Sequence, residues 1–450
     1  MAPRRKMRMK FNKSSQLLLV SAASLLVAGL MTACGTLTVD FVFVASSKAA
    51  GTNSYGEIDV LEINSESGYM RHIPTSPFPS GGRNPVAEAV STDQSNLYVV
   101  NQDDNSIAQF VIGNDGKVYP QNTVNTPGIY PLAVAVSGTN LYVVDTFQPL
   151  PICSNADPCS GSIGVLPITI GSGSPPSDTL GPPVANGSLT YWPLNVPCNP
   201  TDVLTPTGIS VLPSGNFVFV TGYDATAAAD DISGIANTCD ATASTSSAPT
   251  GYVFAFAANS DGTLTAVSGS PFLVGTVNVL PNGGVVVPKP SAVTSDPSNS
   301  FVYIADFNLG KVHGYSVGAS GVLTKLSGSP FPAGNQPAAI VADPKYPYLY
   351  VANSLDSSVT AYSISAGALT TLGTFATGTQ PVAMGIDPSA NHFLYTANYL
   401  GSGIIGTVSG FVLNPATGAL VDSQKSPFTV NAFPTAVAAI PHPTTAKSSK

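Results

Sequence analysis

The chain has 450 residues, only 9% of them charged, and carries 42 Gly and 39 Pro, whereas soluble domains average about 25% charged residues. With 17 basic against 25 acidic residues it is net −8, which excludes nucleic acid as a partner because a phosphate backbone demands a basic surface. Hydrophobic residues at 43%, with Tyr, Phe, Val and Thr spread throughout, exclude a disordered chain and point to an all-β protein with many tight turns.

The first 34 residues read as an address rather than as structure. The opening "MAPRRKMRMKFNK" carries six basic residues and no acid, and an apolar stretch of 15 residues follows at 17–31. That is shorter than the ~20 residues a membrane-spanning helix needs; the competing reading is an uncleaved anchor. The "MTAC" that follows resembles the bacterial lipobox, with Met31 where Leu is usual, so Cys34 is the expected lipidated N-terminus of the mature protein. Gly35 in place of Asp resembles outer-membrane sorting. Removing the leader leaves 11 basic and 25 acidic residues, a net charge of −14.

Beyond the leader the chain repeats itself. A Pro-x-(Ala or Gly) opening occurs seven times, at Pro85, Pro131, Pro206, Pro290, Pro337, Pro381 and Pro434. Strands built on an aromatic follow in "LYVVN", "LYVVD", "VFVTG", "VYIAD", "LYVAN" and "LYTAN", centred on Tyr98, Tyr142, Phe219, Tyr303, Tyr350 and Tyr395. A seventh such strand, around Phe43, comes first and has no Pro opening before it. Third strands show apolar residues in register at Ile58, Leu61, Ile63, at Ile107, Phe110, Ile112, at Val312, Tyr315, Val317 and at Val359, Tyr362, Ile364. Fourth strands follow Gly turns such as "DGTL" and "TGAL", and four of them close with "SPF".

Four short strands in units of about 45 residues is the spacing of a propeller blade. The Pro-to-Pro intervals are 46, 75, 84, 47, 44 and 53, so two units carry insertions. The first unit lacks an innermost strand and "PTAVAAI" at 434–440 supplies one. The expectation is a seven-bladed β-propeller over 41–440, closed by the C-terminal strand, after a signal peptide at 1–33 and a lipidated tether at 34–40, with a tail at 441–450. Small third residues (Ala87, Ala133, Gly208, Ala292, Ala339, Ala383 and Ala436) suit strands that converge on an axis.

The "LYVAN" and "LYVVN" strands with "SSVTAYSI" resemble YVTN-type propeller repeats, and the mature chain is similar to the seven-bladed lactonase-like family, which includes 6-phosphogluconolactonases and muconate-lactonising enzymes. The resemblance implies His, Glu and Arg around the channel mouth. Here the chain departs from it: His72 falls on an outer strand, His313 on a third strand, His392 in a turn and His442 near the C-terminus, so no His base is nominated. Glu88 is the only ionisable residue on the inner strands, and Arg83 and Lys289 just precede two of them. An acid with two cations would hold an anionic lactone; otherwise Glu88 is a solvated channel residue and the cations are loop charges.

No Gly-rich phosphate loop, HExxH or CxxC occurs, and no cofactor is called for. Asn101, Asp145, Asp306, Asn353 and Asn398 end second strands and offer oxygen ligands to Ca²⁺ or, more commonly, cap turns. Four cysteines besides Cys34 suit an exported chain. Topology favours Cys153 with Cys159 and Cys198 with Cys239 among the three connectivities. Insertions in blades three and four, with Asp224, Asp230, Asp231 and Asp240, build up one quadrant of the top face. The reading is a monomeric, lipid-anchored binding or scaffold module whose partner, an envelope protein or glycan, docks there, or alternatively a lactonase-type hydrolase.

Overall fold

The computed structural model describes residues 39–48, 55–64, 67–154, 158–171, 178–195, 203–225, 251–275, 278–279, 285–387, 393–401 and 405–441. Cys34, Cys198, Cys239, His392, His442, Asp230, Asp231 and Asp240 lie outside these residues. No helix among the described residues is long and apolar enough to cross a membrane.

Seven antiparallel sheets of four strand positions make the propeller. Blade 2 shows the plan: an inner strand Pro85–Val90, a second Asn96–Asn101, a third Ser106–Ile112 and a fourth Val118–Asn125. Blades 3 to 7 repeat it, with inner strands Ile129–Ser137, Leu204–Val211, Pro290–Ser295, Pro337–Ala342 and Pro381–Ile386. Blade 1 takes its second and third strands, Val39–Ser47 and Glu57–Asn64, from the start of the described chain and its inner strand, Phe433–Ile440, from the end. That closure is a ladder in which Phe43 faces Ala438 and Ala45 faces Ala436. The inner strands touch their neighbours in one unbroken cycle, blade 7 to blade 1 to blade 2 included, so no blade face is left unpacked.

Each sequence signature has a structural reason. At the proline openings the inner strand bulges, so that Pro85 faces Asn101 while Ala87 faces Val100, and Pro is tolerated because a bulge needs no ladder N–H there. The small third residue sits against the next blade: a Cβ on Gly208 would lie 3.3 Å from the Ala292 Cα. Second-strand aromatics Phe43, Tyr98, Tyr142, Phe219, Tyr303, Tyr350 and Tyr395 are fully buried between blades. The Tyr303 and Tyr350 hydroxyls also donate to the Gly367 and Gly418 carbonyls of the following blade at 2.9 and 3.1 Å. In every "SPF" the Ser–Pro bond is cis and the serine Oγ accepts a third-strand N–H, as from Val60 to Ser76 and Gly314 to Ser329, both 2.9 Å. The hydroxyl stands in for the ladder where the fourth strand is interrupted.

One extension is absent from the sequence reading. In blade 3 the link from the third strand, Ser162–Thr169, to the fourth, Thr179–Leu180, is lengthened on the bottom face. The Asp178 carbonyl there accepts Gln109 Nε2 at 2.6 Å and Gln121 Nε2 at 2.7 Å. Among the described residues the buried Tyr98 hydroxyl meets no acceptor.

Candidate functional site

The top face is where inner strands begin and second strands end, and two positions of each repeat meet there. The N–H groups of Gln102, Phe307, Ser354 and Tyr399 donate to the carbonyls of Asn84, Lys289, Gln336 and Gln380 at 3.0, 2.9, 2.8 and 3.0 Å. Four of the residues directly before an inner-strand proline, Asn84, Tyr130, Gln336 and Gln380, have φ between 52° and 58°. Pre-proline residues normally stay extended, and a non-glycine in the left-handed region costs about 1–3 kcal/mol. That cost, repeated around one rim, fixes where these side chains emerge.

The rim is aromatic and amide-rich. Tyr130 meets Phe147 edge to face with ring centres 5.9 Å apart, and Tyr399 stacks on Phe433 at 5.3 Å. The Lys289 ammonium lies 5.1 Å from the Tyr223 ring centre and 5.3 Å from that of Phe307, within cation–π range. Asn84 Nδ2 donates to Gln102 Oε1 at 3.2 Å, while Gln336 and Gln380 are half-buried beside their prolines. The sequence reading missed these residues. Their signal was available as the position before each inner-strand proline and the position after each strand-ending Asn or Asp.

Glu88 and Arg83 belong to blade 2 and Lys289 to blade 5, whose inner strands are not adjacent in the ring. Arg83 is paired through Nη2 with Asp104 Oδ1 at 2.5 Å, and that carboxylate holds its guanidinium above its usual range. Glu88 is half-buried on its inner strand, with both carboxylate oxygens covered and without a hydrogen-bond partner among the described residues. Burial pushes its pKa up to about 8, and the flanking backbones of Ala438 and Ala45 offset only part of this, since neither completes a hydrogen bond of normal geometry.

The two described histidines sit inside blades. His72 Nε2 lies 3.7 Å from Asp59 Oδ1; burial raises Asp59 to about 6, although His72 pulls it down. His313 is buried with Nε2 3.3 Å from Asp306 Oδ2. The strand-ending residues act on their surroundings as caps. Gly128 N–H donates to Asp145 at 3.0 Å, Lys289 N–H to Asp306 at 3.1 Å and Gly334 N–H to Asn353 at 3.0 Å. Burial lifts Asp145 to about 7, with bonds from Thr126 and Gly128 opposing. These residues lie in separate blades, and among the described residues no three His, Cys, Asp or Glu side chains gather as a metal site.

Most of the insertions, at 196–202, 226–250 and 280–284, lie outside the described residues; in the described part of the blade 3 loop Cys153 is bonded to Cys159 across 5.4 Å between Cα atoms. Gln148, from the same loop, donates to Asn195 Oδ1 at 2.9 Å, tying it to the link that leaves blade 3. Ile152 is 68% exposed. Asp224 departs from the surface acid that was expected: it is buried at the end of its second strand, opposite Leu204.

Fold and rim together define a seven-bladed β-propeller whose top face carries aromatic and amide groups. Residues 324–437 match the family model described as Lactonase, 7-bladed beta-propeller. The chain is similar in structure to the periplasmic gluconolactonase of Pseudomonas aeruginosa, with TM-score 0.63 and 18% identity over 89% of this chain and 99% of that one. It is also similar to the putative 6-phosphogluconolactonase of Bacteroides fragilis, with TM-score 0.62 and 20% identity over 90% and 99%. That of Bacteroides uniformis gives TM-score 0.62 and 18% identity over 89% and 99%. No curated protein matches the chain.

Proposed function

We propose that this protein is an exported, lipid-anchored propeller of the cell envelope that binds a polyhydroxylated ligand on its top rim. The observation that carries this reading is the rim itself: two aromatic pairs, Tyr130–Phe147 and Tyr399–Phe433, and one cation held between Tyr223 and Phe307. Aromatic faces cover the C–H faces of sugar-like rings, amides match hydroxyls, and Lys289 suits a carboxylate or phosphate. The leader and Cys34 support export and anchoring, and the insertions of blades 3 and 4 offer a surface to an envelope protein or glycan.

A second reading, hydrolysis of a sugar lactone at the same mouth, draws on the likeness to the gluconolactonase structures. Against it stands the placement of His72 and His313 within blades, which leaves no described histidine base at the rim. Calorimetric titration of the mature protein with glucono-1,5-lactone, gluconate and 6-phosphogluconate tests both readings. Binding that weakens about tenfold in Tyr399→Ala and Lys289→Met, roughly 1.4 kcal/mol, with no turnover above background, is the expected result. Absence of binding at millimolar ligand would overturn the rim assignment, and lactone hydrolysis lost in Lys289→Met would favour the enzyme.

A further inference from the structure

The third residue after the inner-strand proline faces the preceding blade, and in six blades it is apolar: Val134, Ile209, Val293, Ile340, Met384 and Val437. In blade 2 it is Glu88. Its cross-strand partner Val99 and its same-face neighbour Val90 belong to the apolar cluster between blades 1 and 2, with Phe43, Ala45, Ala436 and Ala438.

Nothing charged faces Glu88 from the elements around it. The strands Phe433–Ile440, Asn96–Asn101, Ser106–Ile112 and Ile129–Ser137 carry no charged residue, and Pro85–Val90 carries no other. Val39–Ser47 has only Asp40, at its far end opposite Ile63. On Glu57–Asn64 the acids are engaged elsewhere, Glu57 by Lys48, Asp59 by Asn431 and Glu62 by Arg71. An ionised carboxylate here would have no cation beside it.

This interface also contains the strand that closes the ring. Phe433–Ile440 is held in its sheet by pairing with Val39–Ser47, some 390 positions away in sequence, whereas other inner strands are tied to theirs by short hairpins. We propose that Glu88 is a proton-operated latch on the closing seam: neutral, it packs among the apolar side chains; ionised, it parts blade 2 from blade 1 and frees the strand Phe433–Ile440. The pKa of about 8 agrees in direction. Below ~4.5 both folded and unfolded chains hold the proton. Between there and ~8 only the folded chain does, so stability falls about tenfold per pH unit, and above ~8 the loss is complete.

The test is amide exchange of the mature protein at pH 6, 7.5 and 9, corrected for intrinsic rates. Segments 85–90 and 433–441 report the seam, and 337–342 and 348–353 report blade 6. Protection of the seam should fall by about tenfold per pH unit relative to blade 6 until near pH 8, and Glu88→Gln should flatten the difference. Glu88→Ile, which copies blade 6, should do the same. The latch is overturned if seam and blade 6 change together in the wild type, or if either folded variant keeps the wild-type profile.

Discussion

The interface between blades 5 and 6 and the one between blades 1 and 2 are built from the same repeat, yet they are satisfied differently. Both have a hydroxyl at the bulge that ties inner strand to inner strand: Ser291 donates to the Pro337 carbonyl at 2.6 Å, and Thr435 to the Pro85 carbonyl at 2.7 Å. Between blades 5 and 6, Tyr303 adds a hydrogen bond to Gly367, and Ile340 fills the apolar layer. At the seam the corresponding residues are Phe43, which has no hydroxyl, and Glu88, whose carboxyl has no partner. Repetition thus supplies a buried second-strand aromatic at each interface, while polar satisfaction is set residue by residue. Of the two, the interface that contains the closing strand is the one left less satisfied.

The largest effect expected from breaking the comparison is at the seam. Ending the chain at Ala432 removes Val437 and Ile440, both buried, and uncovers the sheet edge of Val39–Ser47. With about 1.5–3 kcal/mol for each large apolar side chain, plus the lost ladder, denaturant midpoints should show a loss of several kcal/mol. An unchanged midpoint would mean that the ring is not held by this strand.

Next come the aromatic cores. Tyr303→Ala and Phe43→Ala remove side chains that are both 0% exposed, and each should cost about 3–5 kcal/mol in chemical denaturation. Near-equal values would confine the difference between the two interfaces to their polar groups; a much cheaper Phe43→Ala would extend it to packing. The smallest expected effect isolates one hydrogen bond. Tyr303→Phe should cost about 0.5–1.5 kcal/mol, whereas Tyr98→Phe, whose hydroxyl has no partner, should cost nothing or stabilise. A loss in Tyr98→Phe equal to that in Tyr303→Phe would show that its hydroxyl is satisfied after all.

The sequence by itself determined the seven blades, the ring closure and the buried aromatic of each second strand. These follow from period-two strands, turn residues and a repeat count, all local properties that recur often enough to be read. It also placed Cys153 opposite Cys159, because five intervening positions in one loop leave little freedom. Only the tertiary structure decided which polar residues face solvent. Glu88 looks like a channel residue from its place on an inner strand, and Asp224 like a surface acid from its place beside an insertion. The Glu88 carboxylate oxygens and the whole of Asp224 are covered by neighbours hundreds or tens of positions away. The rim was hidden for the same reason: Tyr130, Tyr223, Phe307, Tyr399 and Phe433 occupy equivalent edges of different blades, and closing the ring is what turns those scattered positions into one surface.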